Sequence, residues 1–140
     1  MLNPKKLEYF KSIVTTVASK ATCDRAKVGC IIINDDYIIS TGYNGAPRGE
    51  IHCDDNDHLM KDGHCIRTIH AEVNAIINAA KNGINIKDCD MICVYKPCFR
   101  CMQVLINSGI KNVYYFEDYK DEFQKYFEEN KFVKFIKCKK

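Results

Sequence analysis

Two short segments carry residues whose types and spacing suit hydrolytic metal chemistry: His70-Ala71-Glu72 and Pro97-Cys98-Phe99-Arg100-Cys101. Cys98 and Cys101 stand three positions apart, so on a helix both sulfurs point to one face. A helix N-terminus favours their thiolate forms, which are the forms that bind metal. His70 opens the preceding helix, and the two helix starts are neighbours if the strands before them are. A donor set of N, S and S suits Zn²⁺ and leaves a fourth position for water, the pattern of catalytic rather than structural zinc. Zinc brings the pKa of its water from about 15.7 toward about 7. Glu72, two residues past the histidine, can then carry protons without ligating. Taken singly, Cys-x-x-Cys is also a redox pair and His-x-Glu a capped helix end. Their joint presence, with a proline directly before Cys98, selects the metal reading.

The elements that must position these groups come from a chain of 140 residues, 46% hydrophobic and 28% charged, expected to form one domain spanning residues 1–140. A formal charge of +3 is too mild to argue for a nucleic-acid partner without a clustered basic face. No apolar stretch approaches the roughly 18 residues needed to span a bilayer, and charge breaks the N-terminal segment too early for a secretory signal. A cytoplasmic protein is expected. Its nine cysteines are an odd number without an export signal, which argues for reduced thiols and metal ligands over a disulfide framework.

Asn3 can cap a helix opened by Pro4, with Leu7, Phe10, Val14 and Val17 as its apolar stripe. Strands follow around Val28–Ile33 and Tyr37–Thr41, joined by a turn at Asn34-Asp35-Asp36. From Gly42 to about Thr68 the chain reads as one long loop, which in a compact domain is functional or held by something. A helix over Ala71–Lys81 stops at Gly83. Then come a strand at Met91–Tyr95, a helix from Pro97 to Ser108, a strand at Val113–Phe116, a helix over Tyr119–Glu129 and a strand at Phe132–Ile136. The order predicts an α/β fold: a five-stranded mixed sheet with helices on both faces, its later strands parallel through βαβ crossovers. In such sheets sites form where strands hand over to helices, which is where His70 and Cys98 lie.

The pattern H-x-E…P-C-x-x-C marks zinc nucleobase deaminases. The chain resembles the cytidine/deoxycytidylate deaminase superfamily over nearly its full length, and within it the deoxycytidylate (dCMP) deaminase branch that includes proteins encoded in bacterial competence operons. The narrower match rests on Lys27-Val28-Gly29, Gly42-Tyr43-Asn44-Gly45-Ala46-Pro47, the run from Gly63-His64-Cys65 through His70-Ala71-Glu72 to Ile76, and Ser108-Gly109-Ile110-Lys111. Free cytidine deaminases usually carry cysteine where His70 stands, and tRNA adenosine deaminases lack the Gly-Tyr-Asn-Gly loop in this form. The resemblance implies a three-layer α-β-α cytidine deaminase-like fold and zinc-dependent hydrolysis of dCMP to dUMP and ammonia, feeding thymidylate synthesis. Attack falls on C4 of the ring, while Glu72 moves a proton to N3 and then to the departing amine.

By the same resemblance His70, Cys98 and Cys101 hold the catalytic zinc. Ala71 lies at the substrate and Asn44 contacts its sugar, although Asn44 also reads as a turn residue before Gly45. Lys27 and Lys81 are phosphate candidates that would equally stand as solvated lysines. Relatives that form hexamers regulated by dCTP and dTTP make Gly42, Tyr43, Asn44 and Gly45 an effector candidate, with Mg²⁺ accompanying the triphosphate and a homohexamer as the expected assembly. Some dCMP deaminases carry a second, structural zinc whose cysteines match Cys23 and Cys53. Cys65 and a histidine would close that site: His58 is favoured because Cys53-x₄-His58 allows a turn, with His52 and His64 as rivals and an unmetallated polar loop as the alternative. Cys30, Cys89, Cys93 and Cys138, in or beside apolar strands, read as core. Deamination of dCTP or of tRNA adenosine, or a zinc-stapled module without turnover, remain open beside the dCMP reading.

Overall fold

The computed structural model describes residues 2–53 and 58–139, so positions 54–57 of the predicted loop lie outside the described residues. Its first helix, α1 (Pro4–Ala18), begins where expected: the Asn3 side chain accepts the Lys6 N–H at 2.9 Å. The strands β1 (Gly29–Asn34) and β2 (Tyr37–Tyr43) form an antiparallel hairpin. Its turn is tight because Asp35 and Asp36 accept φ of 50° and 72°, a left-handed pair suited to two-residue hairpins. The helix α2 (Ala71–Lys81) leads to β5 (Asp90–Tyr95), α3 (Phe99–Ser108), β6 (Asn112–Glu117) and β7 (Lys134–Lys137). Gly109, at φ 90°, ends α3 as a left-handed cap.

The sheet order is β2-β1-β5-β6-β7. β1 pairs antiparallel with β2 and β5, while β5, β6 and β7 run parallel, so the sheet is mixed as the element order requires. Residues 29–33 of β1 are all buried, since both sheet faces are covered. Alternation divides them. Cys30 and Ile32 join Met91, Cys93, Val113 and Leu105 on the face under α2 and α3, and Ile31 and Ile33 join Ile92, Tyr114 and Phe116 on the face under α1 with Phe10 and Val14. Cys30, Cys89, Cys93 and Cys138 are buried core residues, as their apolar neighbours predicted.

Two expectations change. The long loop is not uniform: β2 continues to Tyr43, and a small hairpin pairs β3 (Met60–Lys61) with β4 (His64–Cys65). The helix expected over Tyr119–Glu129 is only a 3₁₀ turn at Gln124–Phe127. Side chains there bond to backbone instead of supporting a helix: Asp121 accepts from Phe99 N and Phe123 N, and the Asn130 side chain accepts from Phe132 N and Val133 N while donating to Phe127 O. Among the described residues no helix is long and apolar enough to cross a membrane.

Candidate functional site

The antiparallel β1–β5 pair, with α2 packed on β1 and against α3, brings two helix starts together. His70 occupies the N-cap of α2 and Cys98 the N-cap of α3. His70 Nδ1 lies 3.5 Å from Cys98 Sγ and 3.3 Å from Cys101 Sγ, and the three donor atoms all lie within 4.8 Å of one another. That donor set fits a zinc ion with one position open. Hydrogen bonding from Cys101, and then from His70, holds the Cys98 thiol down at about 4, while its hydrogen bond to Cys98 pushes His70 up. Cys101 is pushed the other way by the same contact with Cys98, so a cation bound here would displace the protons that His70 and Cys101 hold.

Glu72 sits in the first turn of α2, 5% exposed, on the same cavity. Burial pushes its carboxyl above the ordinary carboxylate value. Beneath it the thiol of Cys30 lies 3.6 Å from Oε1. A carboxyl that is buried, raised and next to an N, S, S cluster has the placement of a proton carrier.

The segment Gly42–Gly45 positions this machinery. Gly45 forms a two-hydrogen-bond bridge with Ile69, at 3.2 and 2.9 Å, which fixes the residue before His70. Asn74 of α2 donates to Tyr43 O and Ile69 O, and Ser40 Oγ donates to Ala75 O. Gly42 is glycine because a Cβ there would run into Ala75 N and Ala71 O; it faces α2, not a ligand. Asn44 is buried, accepting from Val28 N at 2.8 Å and donating to Ala26 O at 2.7 Å, and it also lines the cavity.

That cavity measures about 630 Å³, the size of a small-molecule site. Ala71, Asn44, Val28, Thr68 and Tyr119 line it along with His70, Glu72 and Cys98. Its cations are Arg25, Lys96 and Arg100. Lys27 is exposed, with Nζ bonded to Ala21 O, and Lys81 ends α2 on the surface; neither lines the cavity. Sequence spacing had no signal for this, because which cation faces the cavity depends on how loops cross the strand ends. Arg100, inside the Pro-Cys-x-x-Cys run, was the one within reach of the motif.

A second donor cluster gathers Cys23, Cys53, His58 and Cys65, again within 4.8 Å of one another. Cys23 Sγ is 3.4 Å from His58 Nδ1, and Cys53 Sγ is 3.5 Å from Cys65 Sγ. Against the upward push of burial, the Arg67 N–H and hydrogen bonds from Cys53 and His58 bring the Cys65 thiol down to about 6. Four donors of S, S, N and S fit a closed tetrahedral zinc site. Of the three candidate histidines, His58 is the one in the cluster; His64 lies on β4 at the cavity instead.

Residues 4–117 match the family model of the cytidine and deoxycytidylate deaminase zinc-binding region. The chain is 43% identical over 113 residues to ComE operon protein 2 of Bacillus subtilis (strain 168), covering 81% of this chain and 60% of that relative. It thus spans under two thirds of that relative's length. Against the deoxycytidylate deaminase of Mycobacterium phage D29 it is 30% identical over 127 residues, 82% of this chain and 97% of the relative. The structure superposes on the dCMP deaminase of cyanophage S-TIM5, solved in complex with dCMP and dUMP, with a TM-score of 0.86 at 27% identity, covering 99% of this chain and 100% of that one.

Proposed function

The chain belongs to the cytidine and deoxycytidylate deaminase family, whose matched region is zinc-binding, and we propose that it hydrolyses dCMP to dUMP and ammonia. The observation that carries the reading is the buried Glu72 standing on one cavity with the His70–Cys98–Cys101 cluster. His70, Cys98 and Cys101 would hold zinc, which when bound supplies Lewis acidity that brings a water's pKa toward about 7. Glu72 takes the proton of the attacking water, delivers it to ring N3, and passes a proton to the departing amine. Its burial keeps bulk water from competing for that proton.

Ala71 and Asn44 border the ring and sugar in this reading. Asn44 does so through the capacity left after its two backbone hydrogen bonds. Arg25 and Arg100, and not Lys27 and Lys81, stand where the phosphate would lie, while Lys96 on the same cavity is ion-paired with Glu128 at 3.0 Å. Arg25 and Arg100 are bonded to Gly63 O and Gln103 Oε1, neutral partners that leave each guanidinium charge to attract an anion. Cys23, Cys53, His58 and Cys65 would hold a second, structural zinc that staples the loop.

Assembly into a homo-oligomer, a hexamer by the resemblance, belongs to the same reading, as does a dCTP or dTTP effector with Mg²⁺. Exposed Ile51, Leu59, Met60 and Ile66 around the small hairpin are the apolar surface such an assembly would cover. An effector would meet Tyr43 and not Gly42, which is packed on α2.

Incubation of zinc-loaded protein with dCMP, dCTP, cytidine and tRNA, followed by ultraviolet absorbance loss and ammonia release, tests the assignment. Turnover of dCMP above the others is expected. Turnover of dCTP or tRNA alone transfers the function to that substrate, and none at all leaves a zinc-stapled module.

A further inference from the structure

The metal pair Cys98 and Cys101 stands at the start of a helix whose first backbone N–H is held by a side chain distant in sequence. In an ordinary helix the N-cap side chain accepts one of the first-turn N–H groups that have no intrahelical partner. Cys98 holds that place in α3, and its sulfur faces His70 and Cys101. The Phe99 N–H next to it, at the first helical position, finds its acceptor in a different segment. Asp121 Oδ2 accepts the Phe99 N–H at 2.7 Å, while its Oδ1 accepts the Phe123 N–H at 3.0 Å, so one carboxylate ties the start of α3 to the stretch before the 3₁₀ turn. Gln124, 6% exposed, adds a second tie by donating Nε2 to Pro97 O at 2.8 Å. Phe99 itself stacks on Phe127 with ring centroids 5.0 Å apart.

We propose that Asp121 is a positioning residue for the zinc site: by holding the Phe99 N–H it fixes the backbone directly after Cys98 and so the direction of the Cys98 sulfur, with Gln124 fixing the residue before it. This rests on the metal reading of His70, Cys98 and Cys101. The role belongs to the two hydrogen bonds that the carboxylate accepts. It also explains why a stretch that failed to form the expected helix carries ordered polar side chains.

The test follows zinc transfer from zinc-loaded protein to a chromophoric chelator, together with the absorption bands of cobalt-substituted protein. Asp121→Ala is expected to speed zinc loss about ten- to hundredfold from the three-ligand site alone, the usual effect of removing a group that orients a ligand, and to shift the cobalt bands. Asp121→Asn, which can keep an acceptor on the Phe99 N–H but loses the one on the Phe123 N–H, is expected to release more slowly than Asp121→Ala. Gln124→Met, which keeps the buried volume, should accelerate loss from the same site and carries the test if Asp121→Ala does not accumulate. Wild-type release in Asp121→Ala or in Gln124→Met overturns the proposal, as does an Asp121→Asn as impaired as Asp121→Ala or faster loss from both metal sites together. A cobalt spectrum unchanged by His70→Ala in otherwise wild-type protein would instead overturn the metal reading on which it rests.

Discussion

His58 turns its Nε2 to the carboxylate of Asp24 at 3.0 Å, which leaves Nδ1 facing the Cys23 sulfur. A carboxylate on the far nitrogen fixes the tautomer and ring direction of a metal-binding histidine. Asp24→Ala is therefore expected to weaken metal binding at the Cys23–Cys53–His58–Cys65 cluster by about 10–100-fold while leaving the His70 site unchanged. Competition against a chelator of known affinity, read by elemental analysis, measures both. Equal loss from the two sites would remove the assigned role of Asp24.

Two zinc ions per chain are expected in protein purified without chelator, one for each donor cluster. Cys98→Ser should lose one and all turnover, because that site has only three protein ligands. Cys53→Ala should lose the other, loosening the segment before the small hairpin while His70, Cys98 and Cys101 keep theirs. A single zinc in wild type and in Cys53→Ala alike would dismiss the second site.

Glu72→Gln is expected to retain fold and metal and to lose roughly 10²–10⁴-fold in turnover, the usual contribution of a positioned proton carrier. Steady-state rates with dCMP, alongside metal content, check this. A rate within tenfold of wild type would take the proton-carrying role away from Glu72.

The same residue governs a pH dependence. Burial holds its folded-state pKa above the ordinary value, so its stabilising contribution is complete below the unfolded value of about 4.3 and is lost as pH rises through the folded one. In metal-free protein Glu72→Gln, which cannot ionise, should therefore melt higher than wild type near neutral pH. The gap should close as pH falls to about 4. Melting temperatures in chelator across that range decide it, and a gap that widens in acid would reverse the sign.

Gly42→Ala is expected to destabilise the chain by about 1–3 kcal/mol, as overpacking does, because its Cβ meets the α2 backbone at Ala71 and Ala75. Gly45→Ala, whose Cβ would find its nearest neighbour at 3.4 Å on a Tyr43 ring, should change stability by less than about 1 kcal/mol. Denaturant melts of the two variants separate a packing role for Gly42 from a ligand-facing one.

Much of the candidate site was legible in the chain itself. The donor chemistry of His70, Cys98 and Cys101, the carboxyl of Glu72, and their places at helix starts all follow from residue type and short-range spacing, because ligand geometry on one turn of helix is local. The three- and four-residue periodicity of α1 and α2 and the apolar runs of β1, β5 and β6 are local in the same way, and they suffice for a mixed sheet with helices on both faces. Other features depend on distant segments meeting. The 3₁₀ turn replaced an expected helix because Asp121 and Gln124 bind Phe99 N and Pro97 O, partners more than twenty residues away. His58 was separated from His52 and His64 by where Asp24 and Cys23 come to rest. The cavity drew its cations from Arg25, Lys96 and Arg100, not from Lys27 and Lys81, since side-chain direction at a loop is set by the strands that the loop crosses. Residue chemistry and helix phase are properties of neighbours along the chain; which polar groups share a cavity is a property of packing, and only the assembled sheet decided it.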